Sequence, residues 1–337
     1  MGSDRYSRQT RVAGVGDAGQ SRLREATVLI VGCGALGTHT ADALARAGVG
    51  TLHVVDRDIV EWSNLQRQVL FDEADAAASV PKAIAAREHL RAANTDVAVT
   101  AHVADCSAAF LREFATPVDL VLDGTDNFPT RYLLNDWCHQ RGIPWIYAGA
   151  VGTEGAAMVV GPQGPCLRCV WPDPPAQADV GNCETAGILS PAIAAVTAFQ
   201  TAEALKLLLG AIPTAGVFTC DVWRGHYAVM PVAAAPAADC VVCQHGELPA
   251  LTAPPPRTAT LCGRDAVQID PPEGGGIALA DLERALTGSV EGLERTTHLL
   301  RFASDGVRFT VFPDGRALLF GVRDPLRARA LYDRWLR

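Results

Sequence analysis

A doubly wound α/β fold with a mostly parallel sheet is predicted for most of this 337-residue chain, followed by a small α+β unit. Three observations carry that prediction. Short apolar runs alternate with helical patterns from Thr27 to Ala150, the order that builds βαβ units. The stretch VLIVGCGALGTHTADALARAGVG, Val28–Gly50, passes from an apolar strand through Gly32-x-Gly34-x-x-Gly37 into an Ala/Leu-rich helix, a Rossmann-like arrangement. Composition then shifts at AAAPAADCVVCQHGELPALTAPPPR, where Pro254–Pro256 reads as a semi-rigid linker.

The elements follow in order. Strands are expected at Thr27–Val31, Thr51–Asp56, Val97–Val103, Leu120–Asp123 and Trp145–Ala150, with helices at Thr38–Ala47, Pro81–Ala92, Ala108–Ala115 and Thr130–Arg141. A further strand pair is expected at Ala156–Val160 and Gly216–Asp221, with a Pro/Gly/Cys-punctuated loop between them. Pro191–Leu209 reads as a long helix that is apolar nearly all round, hence buried on most sides. The domains are then 1–250, a linker at 251–257, and 258–337, where a helix at Ala280–Leu286 precedes strands in HLLRFA, VRFTVF and ALLFGV and a terminal helix Pro325–Arg337. No internal repeat is found.

Composition narrows the function. The 29 basic against 37 acidic residues leave a net charge of −8, which recommends neither nucleic acid nor an anionic membrane as a partner. No apolar run is read as reaching the roughly 20 residues of a membrane span, and MGSDRYSRQTR has no apolar signal core. A cytoplasmic protein is expected. Its ten cysteines are then metal ligands, reactive thiols or core residues rather than disulfides.

The glycine turn lets a backbone approach a phosphate, and the following helix offers free N–H groups at its positive end. Asp56, about twenty residues on, is placed to accept hydrogen bonds from ribose hydroxyls. This leaves NAD, FAD and ATP open. In EWSNLQRQ, Glu61–Gln68, the polar residues Asn64, Arg67 and Gln68 suit phosphate oxygens, the other reading being a solvated surface. Lys82 opens a helix, where a cation opposes the macrodipole, so a second role such as meeting phosphates is indicated. LVLDGTDNFPTR puts Asp123 and Asp126 at a strand's carboxyl end, where a carboxylate can hold Mg²⁺. Asp126 and Asn127 equally suit a helix N-cap.

Cys166-x-x-Cys169 and Cys240-x-x-Cys243 are two knuckles 70 residues apart, a donor set that satisfies tetrahedral Zn²⁺ in a closed, structural site pinning two loops, the other readings being redox pairs or a coincidence of spacing. Cys183, in GNCETAG, stands outside both knuckles, as a loop nucleophile or as a buried thiol.

Assembled in order, RYSRQ, GCGALG, DRDIVEWSNLQRQ, PKA, DGTDN, PCLRC, NCETAG and CVVC resemble the MoeB/ThiF family of ubiquitin-activating-like adenylyltransferases, over Arg5 to Gly246. LCGRDAVQI through FPDGRALLFG resembles an extra C-terminal unit of some members. The resemblance implies ATP. It also implies a partner, a small ubiquitin-fold sulfur carrier whose C-terminal Gly-Gly carboxylate attacks the α-phosphate, giving an acyl-adenylate and pyrophosphate. Asp56 would bind the ribose and Gly32, Gly34 and Gly37 would pack on the nucleotide, alongside Asp58, Asn64, Gln68 and Asn127. Asn64, Arg67 and Lys82 would hold phosphates, Asp126 would position Mg²⁺, and Arg8 would enter from the second subunit of a homodimer. Cys183 aligns with the cysteine that ThiF-like members link covalently to the carrier. No sulfurtransferase domain is read in the chain, which implies a separate persulfide donor. Two other readings are a non-catalytic nucleotide- and carrier-binding scaffold, and an NAD-dependent dehydrogenase resting on the glycine motif alone.

Overall fold

The computed structural model describes residues 5–174, 186–253, 258–261, 266–271 and 276–336. The chain divides into two compact units, Met1–Ala253 and Pro254–Arg337.

In the first unit, β1 (Thr27–Val31), β2 (Thr51–Val55), β3 (Ala98–His102), β4 (Leu120–Asp123) and β5 (Trp145–Val151) are parallel neighbours in the order β3-β2-β1-β4-β5. β6 (Glu154–Val160), β7 (Val217–Asp221) and β8 (His226–Met230) continue the sheet antiparallel beyond β5. The helices are α1 (Gly16–Glu25), α2 (Ala35–Ala47), α3 (Glu73–Ala78), α4 (Lys82–Ala93), α5 (Ala108–Glu113), α6 (Phe128–Arg141), α7 (Leu167–Val170), α8 (Ser190–Leu209) and α9 (Pro249–Thr252).

Helices cover both faces of the sheet, and β1 shows why its sequence is continuously apolar. Val28 and Ile30 enter a core with residues of α1, α2, α4 and α8, while Leu29 and Val31 enter another with residues of α5, α6 and α7. A strand buried on both faces has no polar side to alternate. The strand order reverses about β1, with β2 on one side and β4 on the other, and that switch opens a crevice at the strands' carboxyl ends.

Several elements went unread in the sequence. α1 contains Gly16 and Gly19, which disfavour helix, yet a methyl at Gly19 would lie 2.9 Å from Leu209 Cδ2. The glycine is there for helix contact. β8 is an edge strand whose side chains are largely exposed, so burial left no mark on its pattern. α9 extends through Thr252, and its Leu251 packs against the second core, so the structure at 251–252 belongs with the first unit. Residues 254–257 lie outside the described residues.

α8 spans 20 residues and is long and apolar enough to cross a membrane by length and composition, longer than the apolar run read from the sequence. It is a core helix of this unit: Thr197, Gln200 and Glu203 are buried along it, and Gln200 Nε2 donates to the carbonyls of Asp123 and Ile146.

The second unit is a six-stranded antiparallel sheet. Its strands are β9 (Thr258–Leu261), β10 (Ala266–Ile269), β11 (Glu291–Arg295), β12 (Leu300–Ser304), β13 (Val307–Val311) and β14 (Ala317–Phe320). They run in the order β11-β12-β13-β14-β10-β9, with α10 (Leu279–Leu286) and α11 (Pro325–Leu336). Phe302 stacks on Phe309 in its core, and Tyr332 of α11 joins them.

Candidate functional site

The glycines after β1 are glycines for different reasons. Gly32 has φ +87°, and a methyl there would stand 2.7 Å from the Gly124 backbone. A methyl at Gly37 would stand 1.9 Å from Gly32 O. Both are demanded by packing. Gly34 is not: a methyl would meet only Gly124 O at 3.8 Å and Gln68 Nε2 at 3.9 Å. What glycine preserves there is open space over the start of α2, whose N-cap, Gly34 itself, supplies no side-chain hydrogen bond. Gln68 flanks that space with a buried Oε1 that has no hydrogen-bond partner among the described residues. Free helix N–H groups and room for a backbone-hugging anion fit a nucleotide phosphate group, which Gln68 can meet only through its amide N–H, its orphaned Oε1 being an acceptor that calls for a donor such as a hydroxyl.

Asp56 ends β2 beside this turn. Its Oδ2 accepts from Cys33 N–H at 2.6 Å and its Oδ1 from Asp58 N–H at 2.7 Å. Burial pushes its carboxyl above the ordinary value, Lys82 pulls it down, Asp58 pushes it up, and the two N–H groups pull it down, leaving it raised. Lys82 is the first residue of α4 and is buried; its Nζ lies 3.4 Å from Asp58 Oδ2 while its own N–H donates to Asp58 O. An ammonium held at a helix's positive end by a carboxylate is the arrangement an incoming polyphosphate would strengthen.

Asn64 and Arg67 sit in the turn that begins at Trp62–Asn64. Asn64 is buried, its Oδ1 accepting from Glu61 N–H, and Arg67 NH1 donates to Ser63 O. Both side chains therefore serve the turn as they stand.

The loop after β4 separates the two acids paired in the sequence reading. Asp123 is fully buried: Oδ1 accepts from Thr125 N–H and Thr125 Oγ1, and Oδ2 accepts from Arg131 Nε at 3.1 Å. The Mg²⁺ role read for Asp123 is thereby corrected, because its oxygens are spent inside the fold. Burial pushes this carboxyl up and Arg131 pulls it down, with a net rise. Arg131 also donates to the carbonyls of Thr125 and Ala148 and stands over the rings of Phe128 and Tyr147. The loop is clamped from below. Asn127 is the α6 N-cap, accepting from Thr130 N–H, whereas Asp126 is exposed at the crevice. Of the two roles open for Asp126 and Asn127, Asn127 takes the cap.

Arg57 was not singled out in the sequence. It turns from the end of β2 toward the end of β3, where NH1 donates to Asp105 Oδ1 at 3.1 Å. Burial works to lower its pKa, but attraction to Asp105, Asp58, Asp56 and Asp126 leaves it raised.

α6 leads from this crevice to the cysteines. Asn135 Oδ1 accepts from Leu167 N–H, Asp136 accepts from Arg168 Nε and Ala250 N–H, and Tyr132 Oη donates to Trp171 O. Cys166, Cys169, Cys240 and Cys243 have all four sulfurs within 4.8 Å of one another. Individual separations are 3.6 Å for Cys166–Cys240, 3.9 Å for Cys166–Cys169 and 3.8 Å for Cys169–Cys243. A tetrahedral Zn²⁺ with Zn–S of about 2.3 Å sets S···S at about 3.8 Å. The donor set fits. Burial pushes the Cys166 thiol up, so ionising the group together calls for a cation.

A model of the ThiF family matches residues 6–242. The chain belongs to the ThiF family. It is 40% identical over 338 residues to the "Sulfur carrier protein ThiS adenylyltransferase" of Bacillus subtilis, covering 98% of this chain and 99% of that one. It is 40% identical over 245 residues to the "SAMP-activating enzyme E1" of Haloferax volcanii, covering 72% and 89%. Among solved structures, Escherichia coli MccB with ATP superposes with TM-score 0.61 at 22% identity, over 71% of this chain and 74% of that one, a likeness of fold.

In this ThiF-family chain the N-terminal segment is docked far from the crevice. Asn94 Nδ2 donates to Tyr6 Oη, Gln9 Nε2 donates to Ala47 O, and a methyl at Gly48 would strike the Tyr6 ring at 2.6 Å. Ala47 is the last residue of α2 and Gly34 its cap, so α2, about 20 Å long at 1.5 Å per residue, separates the two. Arg8, exposed in this segment, is held near the wrong end of α2 for its own crevice. Two residues that shape the site, Gly124 and Arg131, went unread. A methyl at Gly124 would stand 2.4 Å from Gly32 O, so the Gly in DGTDN was the available signal. Cys183 lies outside the described residues.

Proposed function

We propose that the chain uses ATP to adenylylate the C-terminal Gly-Gly carboxylate of a small ubiquitin-fold sulfur carrier protein. The observation that carries the reading is the crevice at the ends of β1, β2 and β4. There the unfilled space at Gly34 and the uncapped start of α2 meet Asp56, buried Lys82 and exposed Asp126. Asp56, with Asp58 beside it, takes the ribose. The α2 N–H groups, Lys82, Asn64, Arg67 and Gln68 take the phosphates, with Asn64 and Arg67 releasing part of their turn contacts. Asp126, with Asn127 at its side, would hold Mg²⁺, whose positive charge would be available to offset that on pyrophosphate. The carboxylate and the triphosphate are both anions, so these cations counter their repulsion in the transition state.

Arg8 completes the partner subunit's crevice in a homodimer, a role supported by its docking at the far end of α2 from its own. Zn²⁺ at the four cysteines ties the two knuckles together without an open position, and the free thiolates it needs accord with a cytoplasmic setting. The outer sulfur of a persulfide from a separate donor attacks the acyl carbon of the acyl-adenylate, the acyl C–O bond breaks and AMP leaves, with Cys183 as the proposed site of a covalent link to the carrier. The adenylyltransferase chemistry belongs to residues 1–250; no role is assigned to 258–337. ATP–pyrophosphate exchange that depends on Mg²⁺ and on a carrier ending in Gly-Gly tests the reading. Nucleotide binding without exchange, given the cognate carrier, would leave a scaffold instead.

A further inference from the structure

We infer that Asp136 is a positioning residue for the metal at the four cysteines: one buried carboxylate fastens the surroundings of both knuckles to α6, so that the sulfurs are in place before the metal arrives. The inference rests on the zinc reading of Cys166, Cys169, Cys240 and Cys243.

The four sulfurs come from two segments 70 residues apart. A site assembled from distant segments binds metal tightly only where those segments are already held, because any ordering left to the metal is subtracted from its affinity. α6 supplies the holding. Tyr132, Asn135 and Asp136 stand at i, i+3 and i+4, one stripe of that helix, and all three are buried. Tyr132 Oη donates to Trp171 O at 2.7 Å, and Asn135 Oδ1 accepts from Leu167 N–H at 2.8 Å. Two of the three thus grip α7 and its C-cap, the short helix of the first knuckle.

Asp136 reaches both knuckles. Its Oδ1 pairs with Arg168 Nε at 3.4 Å, and Arg168 stands inside the first knuckle, between Cys166 and Cys169. Its Oδ2 accepts from Ala250 N–H at 2.8 Å, in α9, the helix that follows the second knuckle. The knuckles also touch each other, since Ala237 N–H, on the approach to Cys240, donates to Cys169 Sγ at 3.4 Å. Asp136 ties that assembly to the scaffold.

Helix building does not account for the stripe. Asn and Asp are poor helix formers, and a carboxylate that is 0% exposed costs free energy unless its lone pairs are answered. Leu133, Leu134, Trp137 and Cys138 of the same helix already supply the second core, which an apolar residue at 136 would join without that cost. Such a residue could not accept from Arg168 and Ala250 together. Partners of this kind, one step behind the ligands, fix ligand orientation and so set metal affinity.

The test is zinc affinity of the full chain by competition with a chromophoric chelator, run beside the thermal midpoint, for wild type, Asp136→Asn, Arg168→Met and Leu90→Ala. Leu90→Ala opens a cavity in the other core and lowers stability away from the stripe. Asp136→Asn keeps the shape but surrenders the charge and one acceptor oxygen, and is expected to raise the zinc dissociation constant about 10–100-fold. Arg168→Met undoes one clasp and should raise it about fivefold, whereas Leu90→Ala should leave it within about twofold of wild type. A constant within about twofold of wild type in both Asp136→Asn and Arg168→Met overturns the inference while leaving the zinc site standing. A rise in Leu90→Ala as large as in Asp136→Asn, for the same fall in midpoint, also overturns it, because zinc would then follow stability alone. Wild type that holds no zinc when purified without chelator defeats the zinc reading, and this inference with it.

Discussion

The two ends of α6 handle polar groups in opposite ways. At its N-terminus the crevice keeps polar groups open: Asp126 exposed, Gln68 Oε1 without a partner among the described residues, the start of α2 without a side-chain cap. Toward its other end, Asn135 and Asp136 are saturated by Leu167, Arg168 and Ala250, and four sulfurs close on one another. An open polar site gives up stability that a ligand later restores, whereas a closed one contributes it to the fold at all times. The proposed function assigns chemistry to the open residues and architecture to the closed ones. Between them lies the Asp123–Arg131 clamp, architectural in its burial and functional in what it holds.

The clamp sets the largest expected effect. Arg131→Ala leaves the Asp123 carboxylate buried without its partner, so denaturant unfolding should register a loss of about 3–5 kcal/mol. A loss under about 1 kcal/mol would move the clamp to the open class.

Asp126→Ala should do the reverse. Exchange should fall by about 10²–10³, with the thermal midpoint within about 2 °C of wild type. A large fall in that midpoint would mean that Asp126 is architectural after all.

At the closed end, Cys166→Ser should reduce bound zinc from about one per chain and lower stability by about 2–3 kcal/mol, or roughly 5–10 °C. Metal analysis and melting check both. Protein that holds no zinc when purified without chelator would remove the staple from the comparison.

Mixing inactive Arg8→Ala and Asp126→Ala proteins should restore about a quarter of exchange activity at equal ratio, since each hybrid dimer has one intact crevice. No recovery after verified subunit exchange would return Arg8 to its own chain.

The smallest effect expected is pH dependence from His53 and His102, whose rings share a 3.0 Å hydrogen bond beside Phe114. Burial lowers the pKa of both, and for His102 the neighbouring His53 lowers it further. A base whose folded pKa is depressed binds protons more readily unfolded, so its contribution is full above the ordinary value near 6.5. It is lost as pH falls below that value through the folded one. Melting temperature should therefore decline below about pH 6.5, less steeply in His102→Phe. Parallel curves for the two proteins would clear the pair of any part in acid sensitivity.

Legibility followed the range of the interaction that shapes each element. β1, β2, β4 and β5 were readable because strands buried for most of their length are largely apolar, and the glycine turn is local. α1 was not, because Gly19 answers to Leu209, nearly the whole unit away in sequence. Asp123 and Asp126 looked alike, being three residues apart at the carboxyl end of one strand. Only the fold turns one inward to Arg131 and the other out to the crevice.

The residues alone were enough to specify the doubly wound fold, the glycine turn with its ribose-type acid, and two cysteine knuckles, since each is a pattern of neighbours within a few residues. Tertiary structure decided the rest. It closed the knuckles into one four-sulfur cluster, joined Arg57 to Asp105 across two strand ends, and put Arg8 at the far end of α2 from its own crevice. The physical reason is that a charge or thiol is assigned its role by its partner and its burial, and both are set by segments distant in the chain.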